Sequence, residues 1–115
     1  MAEVSAKAWA QMVAFYRELD EYGWHQEPML EFVSWLAASA HSRVLVPSTS
    51  HEALGLARVA TYQDEPIVYI AFSEPRGFVI HWLRGQWDDE VREESVPSPQ
   101  APEVFERILA WLGAG

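Results

Sequence analysis

The sequence predicts an α+β domain: two N-terminal helices, an antiparallel β-meander of three to five strands and a C-terminal helix, with the helices packed on one face of the sheet. Three observations lead there. Apolar residues recur at helical spacing in the first 40 positions and again after position 102. Between them lie short β-branched and aromatic runs cut by Pro, Gly and Ser. Helical and strand signals are grouped rather than alternating, which separates this pattern from a parallel α/β architecture. With 115 residues, half of them apolar, residues 1–115 suit a single domain with its own core.

The first helix is read from Val4 to Leu19, with Val4, Ala8, Met12, Phe15 and Leu19 on one stripe and Trp9, Val13 and Tyr16 beside it. Gly23, after Asp20-Glu21-Tyr22, supplies the left-handed residue that closes a helix. The second helix begins near Pro28, a residue favoured in the first turn, and carries Met29, Phe32, Val33, Leu36 and Ala40 on one face. So short a connection makes the two helices antiparallel neighbours.

Val44-Leu45-Val46 reads as a short strand ended by Pro47 and the Ser48-Thr49-Ser50 turn. Thr49 with Glu52 satisfies the capping-box pattern for a helical turn near 50–54, and Leu56 to Tyr62 reads as the next strand. The clearest segment is a hairpin: Ile67 to Phe72 and Phe78 to Leu83, joined by Ser73-Glu74-Pro75-Arg76-Gly77. A turn at Gln63-Asp64-Glu65-Pro66 links it to the strand before. Gly85 allows a bend, Trp87 to Val91 is a weaker edge strand, and the prolines of Val96 to Pro102 make an extended linker. The last helix runs from Pro102 to Leu112, burying Phe105, Ile108, Leu109 and Leu112, and Gly113 stops it.

A net charge of -9 repels nucleic acid and anionic membranes and attracts a basic protein. The absence of cysteine excludes a disulfide scaffold, thiolate zinc sites and a cysteine nucleophile. With no secretory leader pattern and no run of about 18 apolar residues, a cytoplasmic location is expected. No metal and no cofactor are expected either: His25, His41, His51 and His81 show no helical ligand spacing, and phosphate-loop and nucleophile-elbow patterns are missing. Helix capping explains the hydroxyls of Ser48-Thr49-Ser50 beside His51 and Glu52 without chemistry, so no catalytic residue is assigned.

Binding is the remaining reading. Six tryptophans exceed what a core of this size usually needs, and tryptophan anchors interfaces. Trp9, Trp35 and Trp111 sit one position off the helix stripes and are assigned to packing. Trp82, Trp87 and Trp24 are the expected exposed anchors, together with the carboxylates Asp88, Asp89, Glu90, Glu93 and Glu94 that follow Trp87. A solvated edge that discourages sheet aggregation accounts for the same acidic run. Glu18, Asp20 and Glu21 form a second acidic set at the end of the first helix, where the helix dipole prefers cations, so a cationic partner would be favoured there.

A hairpin such as Ile67 to Leu83, then a Trp- and acid-containing segment, then Val96-Pro97 leading into a helix such as Pro102 to Leu112, resembles small bacterial immunity proteins of polymorphic toxins. The resemblance covers roughly the C-terminal half. It implies a non-enzymatic inhibitor that binds a cognate toxin, and it brings no catalytic residues with it. The partner would be a basic toxin or effector, with neither nucleic acid nor membrane involved, and the protein a monomer or homodimer. Two other readings stay open: an acidic homodimeric secretion chaperone or adaptor, and a phage-encoded inhibitor of a host nucleic-acid-binding complex. An enzyme would need a cleft that gathers His81 or His51 with carboxylates.

Overall fold

The computed structural model describes residues 6–58, 67–83 and 90–112. In chain order these form α1 (Ala6–Glu21), α2 (Glu27–Ala38), a 3-10 turn (Ala40–Arg43), β1 (Leu45–Ser50), β2 (Ala53–Arg58), β3 (Ile67–Ser73), β4 (Gly77–Leu83), β5 (Glu90–Val96) and α3 (Pro102–Trp111). The strands make one antiparallel sheet in the order β1-β2-β3-β4-β5. The fold is therefore the α+β meander with flanking helices that the sequence predicts.

Strand alternation decides which side of the sheet the helices cover. Cross-strand pairing places Leu54 beside Ile70, Ile70 beside Ile80, Val68 beside Trp82 and Phe78 beside Val96, all on one face. These side chains join Trp9, Tyr16, Met29, Phe32, Leu36, Phe105 and Ile108 in a single buried core. Polar tips of core aromatics fasten the helices to the rest: Trp9 Nε1 donates to Ser42 O (2.9 Å), Tyr16 Oη to Glu52 O (2.9 Å) and Trp111 Nε1 to Leu83 O (2.8 Å). On the opposite face Tyr69, Ala57 and Leu83 make a small second cluster. Gly55 is required there, because a Cβ would lie 2.6 Å from Ser48 Oγ and 2.8 Å from Tyr69 Cε1.

The end of α1 is closed by the bond pattern of a Schellman motif. Trp24 N–H donates to Leu19 O and Gly23 N–H to Asp20 O, with Gly23 at φ +87°. Pro28 lies in the first turn of α2, as expected.

Three local expectations are corrected. β1 continues through Pro47, which an edge strand tolerates because it has no neighbour on one side to receive an N–H. No helical turn forms near 50–54. Ser50 pairs with Ala53 across a two-residue hairpin turn of His51 and Glu52, and β2 starts at Ala53 rather than Leu56. The last strand extends past Val91 to Val96, whose pairing with Phe78 completes the sheet, while the expected start at Trp87 lies outside the described residues. The expected turn at 63–66, the bend at Gly85 and the stop at Gly113 lie outside the described residues. Among the described residues no helix is long and apolar enough to cross a membrane.

Candidate functional site

Trp82, expected as an exposed anchor, is fully buried. It shares the helix-facing side of β4 with Phe78 and Ile80, its ring meets Trp111 edge-on at 5.5 Å, and the Arg92 guanidinium lies 4.8 Å from the ring centroid. Two-residue periodicity sends the neighbouring His81 to the open face instead, where its Nδ1 is 3.7 Å from Glu93. Glu90 begins β5, whereas Trp87, Asp88 and Asp89 lie outside the described residues.

The two carboxylates of this run that can be followed are engaged within the chain. Glu93 accepts a hydrogen bond from Arg76, which also reaches Ser95 Oγ at 3.3 Å. The Arg76 hydrogen bond, helped by the Arg76 charge and by His81, holds the Glu93 carboxyl below the usual glutamate range. Glu94 accepts from Arg107 Nη1 at 2.8 and 2.9 Å, with Arg92 at 3.9 Å. Because these pairs are largely solvated, they contribute little to stability. They do reduce the free negative charge that β5 presents.

A different anionic surface forms where the α1–α2 connection, the β1–β2 turn and the β3–β4 turn meet. Trp24, 56% exposed, lines it, and Tyr22, two residues earlier, is 77% exposed. Three cavities there share their walls. An outer one of about 300 Å³ is lined by Asp20, His25, Glu27, Pro28, Glu31, Phe72 and Glu74. A middle one of about 260 Å³ shares His25, Phe72 and Glu74 with it and adds Trp24, Gln26, Glu52 and Ser73. The third, about 240 Å³, shares Trp24 and Glu52 with the middle one and adds Phe15, Leu19 and His51. Shared walls make them one groove, acidic at one end and apolar at the other. No lysine or arginine is among its described lining residues.

Local backbone geometry builds this groove. The Schellman closure turns the chain so that Trp24 and Leu19 line the same cavity. His25 and His51 both adopt left-handed φ values, 55° and 56°, which are costly for residues with a Cβ and which cluster at functional sites. At His51 the value meets the demand of a two-residue hairpin for positive φ at the first central position, where Gly is usual. Gln26, buried to 5% exposure, ties the connection to the end of β3 by donating from Nε2 to Phe72 O (3.2 Å) and Trp24 O (3.3 Å). Its Oε1 is buried and has no partner.

Chemically, the groove can hold a positively charged group between carboxylates and against aromatic rings. Among the described residues no three carboxylates or imidazoles converge as metal ligands do, so its negative charge is spread over the walls. Of the residues singled out in the sequence, Trp24, Asp20, His51 and Glu52 line the groove, as does His25, considered there only as a metal ligand; Trp82, Glu93 and Glu94 do not. Sequence reading missed Gln26, Glu27, Glu31, Phe72 and Glu74. The available signal was the brevity of the connection from Gly23 to Pro28, which forces Trp24, His25 and Gln26 into one tight turn beside the acidic end of α1. Comparison with protein-family models, curated proteins and solved structures finds no match.

Proposed function

We propose that this protein is a small acidic cytoplasmic binding protein of the immunity-protein kind, which neutralises a basic toxin or effector by direct protein–protein contact. The observation that carries this reading is Trp24, more than half exposed at a groove walled by carboxylates and with no lysine or arginine among its described lining residues. An exposed indole beside Tyr22 is the composition of an interface anchor, and it can be buried on binding at low conformational cost. The surrounding carboxylates would speed encounter with a basic surface and disfavour acidic competitors. Docking therefore centres on Trp24 rather than on Trp82 and the β5 carboxylates.

The test is affinity capture from lysate of the source organism, followed by titration of the purified captured protein at several salt concentrations. One-to-one binding that weakens with salt, is lost in Trp24→Ala and suppresses the partner's own activity supports the reading. Binding indifferent to both salt and Trp24 overturns it.

A further inference from the structure

We infer that the groove is an arginine site: the guanidinium of a basic segment of the partner enters the outer cavity among Asp20, Glu27, Glu31 and Glu74, and an apolar neighbour in the same segment fills the cavity at Phe15, Leu19 and Trp24. The inference rests on the reading of the protein as a binder of a basic protein and adds what that partner must present.

Charge complementarity selects a cation, because four carboxylates line a cavity of about 300 Å³, at the lower end of ligand-site volumes. The end of α1 adds to this field. Its last turn contains no basic residue although the helix dipole is negative there. Gln26 points to a ligand independently of the acids. This side chain lines the middle cavity, between the acidic and the apolar ones; it is 95% buried, both contacts of its Nε2 go to groove residues, and its Oε1 has no hydrogen-bond donor. A buried acceptor left without a partner calls for one, and a backbone N–H of the segment crossing the middle cavity supplies it.

Arginine fits better than lysine. Its planar head offers five N–H donors to acceptors on separate walls, stacks on an aromatic face such as that of Phe72, and sheds water more readily than an ammonium.

The test uses the full chain and the peptide acetyl-Leu-Ala-Arg-Ala-amide, with otherwise identical peptides carrying citrulline or lysine in place of arginine, followed by NMR. The arginine peptide is expected to shift the Gln26 side-chain amide and the Trp24 indole N–H at millimolar concentration, and the citrulline peptide to leave both unmoved. Glu31→Gln combined with Glu74→Gln, both exposed positions, should weaken binding by at least about tenfold, the weight of one charge-assisted contact. Glu103→Gln with Glu106→Gln on α3 makes the same change in net charge and should leave binding unaltered. Equal loss in the two double variants, or equal binding of the lysine peptide, overturns the arginine assignment. Silence of the groove signals towards the arginine peptide overturns it too, and leaves the wider reading standing wherever a captured partner still depends on Trp24. Peptide binding without any Trp24-dependent partner overturns the wider reading alone.

Discussion

Trp24→Ala is expected to cost the fold little and partner affinity much, and Trp82→Ala the reverse. A tryptophan side chain offers up to ~250 Å² for burial, so Trp24 at 56% exposure hides ~110 Å² in the fold and leaves ~140 Å² for a partner. At ~25 cal/mol per Å² the hidden part is worth at most ~3 kcal/mol, and alanine's own burial with residual denatured-state contacts brings the loss nearer ~1–2 kcal/mol. Covering the exposed part is worth at most ~3.5 kcal/mol, and the cost of ordering the interface brings this to ~3 kcal/mol, a hot-spot value that corresponds to a change in Kd of at least ~100-fold. Trp82 is fully buried, so its truncation costs ~3–5 kcal/mol through lost area and the cavity left against Trp111. For a domain of this size that is a fall in Tm of ~10–30 °C. Thermal and urea denaturation followed by circular dichroism give the stabilities, and calorimetric titration with the captured partner gives the affinities. Comparable destabilisation by both substitutions, or an affinity within about threefold of wild type for Trp24→Ala, would refute the assignment of the two tryptophans.

Gly55→Ala should destabilise by ~1–3 kcal/mol in urea, since its Cβ meets Ser48 Oγ and the Tyr69 ring well inside contact distance, and adding Tyr69→Val should recover part of the loss. Arg76→Ala should return the Glu93 carboxyl towards the ordinary glutamate range in a carboxyl NMR titration. Because the folded value is depressed, the Arg76–Glu93 contribution is in place above that range and is lost as pH falls through the depressed value, so wild type and variant converge in acid. Tyr16→Phe should cost ~1 kcal/mol at neutral pH through the lost bond to Glu52 O. Burial, with the Glu52 charge behind it, pushes the Tyr16 phenol above its ordinary range. Its contribution is therefore full below pH ~10 and lost as pH rises towards the folded value, and Tyr16→Phe should remove that alkaline fall in stability.

Local physics made much of the fold legible before any coordinates. Helical spacing found α1, α2 and α3, Gly23 and Pro28 marked the ends that face each other, and the Ile67 to Leu83 hairpin carried its own turn. At Thr49 and Glu52 the same reasoning failed. The capping-box letters are equally at home beside a tight hairpin, and sheet pairing of β1 with β2 outweighs a single helical turn. Pro47 likewise ends a strand only where both edges need donors.

The site was less legible because its parts are distant in the chain. Gln26 meets Phe72 across 46 positions and Arg76 meets Glu93 across 17, and no local period encodes such pairs. Trp82 shows the limit most clearly. Period-two alternation puts only one of His81 and Trp82 on the inner face, and the helix layer, with Trp111 against Trp82, decided which. The sequence by itself thus determined the elements, their order and a net charge of -9, all of which depend on composition and short-range spacing. Only the tertiary structure decided where carboxylates and an exposed indole coincide, because long-range ion pairs engage Glu93 and Glu94 within the chain whereas packing leaves Glu27, Glu31 and Glu74 exposed around the groove that Trp24 lines.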